Sequence, residues 1–331
     1  MIMKLLKMVF IKFGGNFILR ERNRTSRIIF WHGVDENPNP IIEAENINKD
    51  EFIRQLDYMQ KHYEIISIDE FYKRFSANKL NGKEIVLTFD DGYRNNLTVL
   101  APVLRKRKLP FTVFITTSNI SNNTLFPTSI LRLAVYGSSL KKLFIPSLNL
   151  EFTIGTKDDK KQTHVILNKY IKRSPLNVVE EICNDIIANF SNVKWNNIIN
   201  KYSAVNPLNW DEVRELISFG CTIGSHCVEH ICCHSNQKEE EVKYQIIESK
   251  KIIENKLGVT CNYFAYPNGD YTDISNKYVT EAGYLMGFST KKNRVDPTKN
   301  CLCALPRIGA PAKVDTFKIA MSLYPKKQQI G

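Results

Sequence analysis

The chain has 331 residues, of which 43% are hydrophobic, and a formal net charge of +12. This length is enough for one large domain or two small ones with a sizeable buried core, and the composition is typical of a globular protein. The positive charge favours anionic partners such as phosphorylated glycan carriers, acidic polysaccharide or anionic lipid. Nucleic-acid binding is not predicted, because the chain contains no helix-turn-helix, zinc-finger or aromatic RNA-binding motif.

The N-terminal segment, residues 1–26, is apolar with interspersed lysines. Lys12 interrupts its hydrophobic stretch and no small-residue cleavage site follows, so it is a poor secretory signal. The stretch is also shorter than the ~20 residues needed to span a bilayer. Two interpretations stay open: a basic amphipathic segment in peripheral contact with the inner membrane, and a helix that packs across the bottom of the fold.

The eight cysteines fall mostly in or beside apolar, strand-like runs, where a free thiol behaves as a small hydrophobic group. They do not form the even, loop-rich pattern of a secreted disulfide scaffold. We therefore expect a reducing, cytoplasmic location, with membrane association left open.

After residue 26, apolar β-type runs alternate with amphipathic helical patterns. Strands are predicted at Ile28–Val34, Glu64–Ile68, Glu84–Phe89, Phe111–Thr116, Cys221–Ser225, Tyr263–Tyr266 and Met286–Thr290. Helices are predicted at Lys49–His62, Asn95–Lys108, Asp211–Phe219 and Glu239–Leu257. This alternation predicts parallel strands with right-handed crossovers, in which functional residues gather at the C-terminal ends of the strands.

Residues 121–208 interrupt this alternation with a predicted hairpin over Leu143–Ile154, a polar stretch over Thr156–Gln162 and helices near His164–Ile171 and Val178–Phe190. We interpret this region as an insertion beside the mouth of the active site. The chain is thus predicted to consist of the N-terminal segment and one domain over residues 27–331.

The predicted strand before Gly92 ends in two adjacent carboxylates, Asp90 and Asp91. Adjacent strand residues point to opposite sides, so both acids can reach one cavity only where the strand ends and the backbone turns, which Gly92 permits. Two acids there can divide the work, one holding a cation and the other moving a proton. For these residues alone, a solvated turn is the alternative.

Two histidines, His226 and His230, follow another predicted strand. They would meet on one face if the Gly224-Ser225 turn led into a helical turn. Neutral imidazole is a good zinc ligand, and two histidines with one carboxylate leave positions open for water, as a catalytic site requires. Taken alone, the pair is also compatible with surface or core histidines.

A third apolar run, Tyr263–Tyr266, leads into a Pro-Asn-Gly turn. With the three motifs in this order, the chain resembles the polysaccharide deacetylase family, also called the NodB-homology or carbohydrate esterase 4 family. The resemblance rests on Thr88–Gly92, on His226–His230, on Phe264–Gly269, and on two flanking strands of a subgroup, here Trp31–Val34 and Leu305–Ile308.

The resemblance implies an α/β fold: a distorted (β/α)7 TIM-like barrel, with the mixed insertion between the strand after the Asp-Asp motif and the His-His motif. It implies one divalent metal ion, zinc with cobalt or nickel as alternatives, held by Asp91, His226 and His230, and Asp90 as general base. The implied reaction removes an N-acetyl group from a sugar in a polysaccharide or lipid-linked glycan and releases acetate. An O-acetyl esterase or other linear-amide hydrolase, and a catalytically silent glycan-binding relative, are the alternatives.

The sequence departs from the family in its general acid, because no histidine follows His234 on a late strand. His32, His234 and a protonated Asp90 are the candidates. We favour His32, which ends a strand on the catalytic rim. The family's base-orienting arginine is also missing near Ala265, and Arg307 is the candidate replacement, with an ordinary salt bridge as the alternative.

Four residues are predicted to contact the substrate. A backbone N–H in the Pro267–Asn268 turn is expected to stabilise the oxyanion of the reaction. Trp210 and Tyr266 are candidates for stacking on a sugar ring, although both also fit core or rim packing.

Overall fold

The computed structural model describes residues 24–291, 293 and 295–323. At its centre, parallel strands pair side by side: β1 (Arg27–Trp31), β4 (Glu64–Ile65), β5 (Glu84–Phe89), β6 (Phe111–Ile115), β9 (Cys221–Ser225), β10 (Tyr263–Ala265), β11 (Met286–Ser289), β12 (Leu305–Pro306) and β13 (Ile308–Gly309). Their order is β12-β11-β10-β9-β6-β5-β1-β13, with β4 beside β5. The strands β2 (Gly33–Asp35) and β3 (Asn46–Asn48) form a small parallel sheet, and β7 (Lys142–Ile145) and β8 (Leu150–Thr153) an antiparallel hairpin.

One short segment closes this sheet into a nearly complete barrel. β12 pairs with β11 at one edge, and β13 pairs with β1 at the other. The two strands are separated only by Arg307, so this residue lies at the seam of the barrel. The (β/α)7-like barrel that the sequence predicts is confirmed.

The barrel strands are buried on both faces, as expected where side chains fill the interior and helices cover the outside. Every residue of β5 and β6 is buried. The strands also approach closely: a Cβ atom at Gly224 would lie 2.4 Å from the Phe114 ring. The parallel register brings the C-terminal ends of β1, β5, β6 and β9 to one rim.

Helices cover the outside of the barrel and build the insertion. They are α1 (Lys49–His62), α2 (Ile68–Ser76), α3 (Ala101–Lys106), α4 (Thr117–Asn122), α5 (Pro127–Arg132), α6 (Lys157–Arg173), α7 (Leu176–Ala188), α8 (Asn192–Lys201), α9 (Trp210–Ser218), α10 (Glu239–Leu257), α11 (Asp273–Glu281) and α12 (Val314–Leu323). π-helical segments Asn96–Leu100 and Leu133–Gly137 flank α3 and α5. Short 3₁₀ turns occupy Pro146–Leu148, Ser203–Val205, Pro267–Gly269 and Leu302–Ala304.

The helix α1 has the bounds that its sequence pattern predicts. The Asn48 side chain caps it by accepting hydrogen bonds from the backbone of Asp50 and Glu51. Its face carries Phe52, which packs edge-on against Trp31. Cap and apolar face together fix both the start of the helix and the side that is buried.

The region between β6 and β9 has a hydrophobic core contributed mainly by α5, the β7–β8 hairpin, α6 and α7, and Ile42 and Tyr93 from before β6 also belong to this core. Contacts join it to the barrel on two flanks. Arg132 of α5 pairs with Glu45 on one flank. On the other, Gln237 donates to the Ser174 carbonyl and accepts from the Leu176 N–H. The domain limits drawn from the sequence stay a prediction.

Three local expectations are wrong. The strand predicted over Glu64–Ile68 ends at Ile65, because Ser67 caps a helix that begins at Ile68. The polar stretch Thr156–Gln162 is the start of α6, because Thr156 and Asp159 form a capping box. The strand predicted over Ile28–Val34 is interrupted at His32 and forms β1 and β2 instead.

Cys301 and Cys303 form a disulfide, while the six other cysteines are free and buried. Within the described part of the chain, no helix has both the length and the apolarity to cross a bilayer. The prediction for the N-terminal segment falls on residues 1–23, outside the described residues, apart from its last three positions.

Candidate active site

The two carboxylates leave the end of β5 in different directions because the backbone turns there. Asp91 and Gly92 have φ values of 76° and 81°, in the left-handed region. The Asp90 N–H still donates to the Trp31 carbonyl and continues the sheet pairing. Both side chains are buried and line the same cavity.

The two histidines meet without the helical turn that the sequence predicts. The loop after β9 is irregular, with Cys227 and His230 in the left-handed region at φ 68° and 54°. The ring centroids of His226 and His230 nevertheless lie 4.9 Å apart. The predicted pair is therefore brought together by a non-helical loop.

Asp91, His226 and His230 present one ligand atom each within 4.8 Å of one another. Asp91 Oδ1 lies 3.5 Å from His226 Nε2 and 3.3 Å from His230 Nε2. His226 Nδ1 lies 2.7 Å from the Ala265 carbonyl, so this nitrogen carries the proton and Nε2 presents a lone pair to the carboxylate. Burial lowers the pKa of His226 to about 4, which keeps the ring neutral.

This arrangement fits a divalent cation. Burial opposes ionisation of Asp91, but the imidazoles of His230 and His32 outweigh it and hold the pKa of the carboxyl well below its usual range. Asp91 Oδ1 is buried and accepts no hydrogen bond from the described residues. An anionic oxygen facing a nitrogen lone pair across 3.5 Å is unfavourable unless a cation lies between them.

Asp90 is held by Arg307 in a buried, bidentate ion pair. Arg307 Nη1 and Nη2 each lie 2.7 Å from a carboxylate oxygen of Asp90. Arg307 also donates to Thr88 Oγ1 and lies over the Phe30 ring. Burial favours the neutral acid, yet the guanidinium outweighs it and lowers the pKa of Asp90. Arg307 thus orients the Asp90 carboxylate through both of its oxygens.

His32 lines the same cavity on the β1 side. Its Nδ1 lies 3.6 Å from Glu45 Oε2, and Glu45 Oε1 lies 2.8 Å from Arg132 Nη2. Burial disfavours the charged imidazole, but the carboxylates of Glu45, Asp91 and Asp90 outweigh it and raise the pKa of His32. Two other candidate acids are His234 and a protonated Asp90. His234 is buried beside Asn236 and does not line the cavity, and Arg307 lowers the pKa of Asp90 and so favours its ionised form.

Sequence reasoning missed Glu45 and Arg132. Glu45 lies in the turn before β3 and Arg132 at the end of α5, 87 positions later by their residue numbers. No local pattern pairs them, because their contact arises only when the insertion folds over the rim. Glu45 is close in sequence to a predicted strand end, but nothing marks it as a partner of His32.

The cavity has a volume of about 780 Å³ and lies between the barrel rim and the insertion. Asn268 lines it, with its backbone in the left-handed region at φ 57°. The Lys172 ammonium from α6 reaches across to Asn268 Oδ1 at 2.9 Å. Pro267 is buried beneath this turn.

The two aromatic residues predicted to stack on a sugar do not line the cavity. Tyr266 is fully buried, and its hydroxyl hydrogen-bonds with Asn276 and the Cys303 carbonyl. Trp210 is the first residue of α9, and its indole N–H donates to Ser121 Oγ of α4. Both residues pack within the fold, because the apolar ring at each position faces neighbouring elements and not the cavity.

Comparison with known proteins agrees with these motifs. The sequence profile named "Polysaccharide deacetylase" matches residues 77–143 and 156–287, more than half of the chain. A curated Bacillus subtilis protein, YxkH, itself assigned to the polysaccharide deacetylases, is 25% identical over 81 residues. That match spans 24% of this chain and 29% of YxkH.

Solved structures share the fold over nearly the whole chain. The Streptococcus pyogenes deacetylase PplD, solved in complex with acetate, has a TM-score of 0.59 and 18% identity, covering 91% of this chain and 99% of its own. IcaB from Ammonifex degensii has a TM-score of 0.58 and 16% identity, covering 90% and 97%. The BpsB deacetylase domain from Bordetella bronchiseptica has a TM-score of 0.51 and 15% identity, covering 87% and 96%. Together with the match to the family profile, the site geometry leads to one conclusion: the chain belongs to the polysaccharide deacetylase family.

Proposed function

We propose that this protein is a metal-dependent hydrolase that removes an N-acetyl group from a sugar of a polysaccharide or lipid-linked glycan. One observation carries the proposal: the ligand atoms of Asp91, His226 and His230 converge within 4.8 Å, beside a buried Asp90 that Arg307 orients. Metal ligands and a proton-accepting carboxylate are the groups that hydrolysis of an unreactive amide requires.

Asp91 and the Nε2 atoms of the two histidines would hold the divalent ion, with zinc as first choice and cobalt or nickel as alternatives. Such an ion lowers the pKa of water and polarises a carbonyl when it is bound. The Ala265 carbonyl fixes the orientation of His226.

Asp90 would accept the proton of the attacking water. Because Arg307 keeps this carboxyl ionised and occupies its two oxygens from one side, the carboxylate has a fixed direction toward the cavity. His32 would donate a proton to the leaving nitrogen. Its raised pKa keeps a larger fraction of the ring protonated near neutral pH. The backbone N–H of the Pro267–Asn268 turn is the proposed donor to the oxyanion.

Acetate as the product is supported by the family assignment and by the acetate bound to PplD. A role in cell-envelope glycan biosynthesis, the lipid linkage, the cytoplasmic location and contact with the inner membrane rest on the sequence alone and are parts of the same proposal. Hydrolysis of an O-acetyl ester would use the same residues.

Acetate release from a panel of N-acetylated and O-acetylated glycans tests the proposal. The Asp90→Asn variant should lose about 10²–10⁴-fold in kcat because it cannot accept the proton. The Asp211→Asn variant is a matched control, since the Asp211 side chain is 94% exposed and remote from the cavity. Wild-type rates in Asp90→Asn would contradict Asp90 as the base, and no acetate release by wild type from any glycan of the panel would favour a silent, glycan-binding role.

A further inference from the structure

The turn that carries the proposed oxyanion donor is held at both ends of one side-chain amide. Asn268 lines the cavity with its backbone in the left-handed region, and its Oδ1 accepts a hydrogen bond from the Lys172 ammonium at 2.9 Å. Its Nδ2 donates to Asp270 Oδ2 at 2.7 Å. A cation at the amide oxygen and a carboxylate at the amide nitrogen make both hydrogen bonds charge-assisted, so the amide has one preferred orientation.

The backbone of the same turn offers one N–H to a substrate. Gly269 and Asp270 donate their N–H groups to carbonyls three residues earlier, and Pro267 has no N–H. The Asn268 N–H remains, and it donates to none of the residues that the structure describes. Because this donor belongs to the residue whose side chain is held, its direction depends on the contacts of that side chain.

Lys172 comes from the insertion, and its only hydrogen-bond acceptor among the described residues is Asn268. It is also the only lysine or arginine among the described residues that line the cavity. Since no carboxylate in the described part of the chain pairs with this ammonium, the contact with Asn268 determines where it lies. The insertion thus reaches the turn of the barrel rim through one charged group.

The C-terminal end of α6 is fixed independently of this ammonium. The Arg173 carbonyl accepts a hydrogen bond from Asn236 Nδ2 at 2.8 Å. The Ser174 carbonyl accepts one from Gln237 Nε2 at 3.3 Å. These contacts join α6 to the loop that follows β9, so the backbone at Lys172 is in place without its side chain. Loss of the ammonium should therefore affect the turn and not the docking of the insertion.

We propose that Lys172 is a positioning residue for the reaction: its ammonium holds the Asn268 side chain and thereby directs the backbone N–H of the turn at the oxyanion. The inference rests on the proposed function and gives the insertion a part in that reaction. An oxyanion donor stabilises the transition state only when it points at the oxygen, so a small rotation of the turn lowers the rate. A lysine that bound the sugar equally in ground and transition states would instead change KM.

The Lys172→Met variant, which keeps an unbranched stem but removes the ammonium, tests the inference on two substrates. One is 4-nitrophenyl acetate, which carries no sugar, and the other is the N-acetylated glycan that wild type hydrolyses fastest. We expect kcat/KM to fall about 10- to 100-fold on both, and on the glycan through kcat with KM changed less than about twofold. Lys169→Met, at an exposed position of the same helix, is the matched control and should keep wild-type rates.

An Asn268→Gly background shows whether Lys172 acts through Asn268. Glycine adopts the left-handed φ of 57° readily and leaves the ammonium no side chain to hold. This variant alone should lower kcat by a factor similar to that of Lys172→Met. Adding Lys172→Met to it should lower kcat less than about threefold further. Melting temperatures of all variants distinguish these losses from unfolding.

Wild-type kcat in Lys172→Met or in Asn268→Gly would overturn the inference. A loss confined to the glycan, with KM raised and 4-nitrophenyl acetate turnover unchanged, would assign Lys172 to sugar binding and overturn it as well. An undiminished loss on adding Lys172→Met to Asn268→Gly would show that Lys172 does not act through the turn. No metal-dependent acetate release by wild type from either substrate would refute the proposed function, and the inference with it.

Discussion

Replacing Arg307 with methionine tests whether the ion pair at the barrel seam holds the Asp90 carboxylate in its ionised form. The substitution keeps an unbranched apolar stem between Phe30 and Phe114 but removes the guanidinium. Asp90 is then left buried with no counter-charge from the seam. Its pKa, now lowered by Arg307 against the effect of burial, should rise.

The expected cost in stability is large. Two charge-assisted hydrogen bonds of 2.7 Å are lost. Removing one partner of a buried ion pair destabilises a protein by about 3–5 kcal/mol, because the remaining charge is buried and unpaired. The exposed pair between Arg107 and Asp57 is the control, and Arg107→Met should cost about 0–1 kcal/mol.

Urea unfolding followed by tryptophan fluorescence measures the loss of unfolding free energy in Arg307→Met and in Arg107→Met. Asp90 is stabilised in its ionised form, so its contribution is present above the pKa of the unfolded carboxyl and is lost as pH falls through the lower folded pKa. The cost of Arg307→Met should therefore be smaller at acid pH, where the variant's Asp90 is protonated. In the Arg307→Met/Asp90→Asn double variant, about 2 kcal/mol or more should be recovered. Additive single costs, or a cost that does not depend on pH, would refute this reasoning.

Three further predictions concern the surroundings of the site. Glu45→Gln removes a carboxylate that raises the pKa of His32. The alkaline limb of the kcat–pH profile should therefore move to lower pH. An alkaline limb that does not move would exclude His32 as the acid. Phe126→Ala removes the ring that packs against His230 and should weaken metal affinity about tenfold in a competition titration with a chelator. Unchanged affinity would show that this ring contact does not help to orient His230 for the metal. Gly224→Ala should cost about 1–3 kcal/mol in urea unfolding, since its Cβ would overlap the neighbouring strand; wild-type stability would contradict the tight register.

The barrel strands and the candidate site residues at their ends could be predicted because their signals are local. The apolar run into Asp90 and Asp91 specifies both a buried strand and the carboxylates at its end. The cap at Asn48 and the apolar face behind it specify α1 to the residue. Patterns of this kind need no knowledge of distant partners.

What the sequence could not predict depends on long-range contacts. The partner of His32 is Glu45, which in turn contacts Arg132 from the insertion. Tyr266 follows a buried strand, where an aromatic residue could stack on a sugar ring. Its hydroxyl instead hydrogen-bonds with Asn276 and the Cys303 carbonyl inside the fold. Composition cannot distinguish these two uses of a tyrosine, because both require an apolar ring with a hydrogen-bonding tip.

Metal content of the purified protein, measured beside the His226→Ala/His230→Ala variant, tests the central claim most directly. His164→Ala, which removes a histidine of α6 that does not line the cavity, is the matched control. We predict about one divalent ion per chain in wild type and in the control, and loss of that ion in the double variant. No bound metal in wild type after incubation with zinc, cobalt or nickel, or full retention by the double variant, would contradict a catalytic metal at Asp91, His226 and His230.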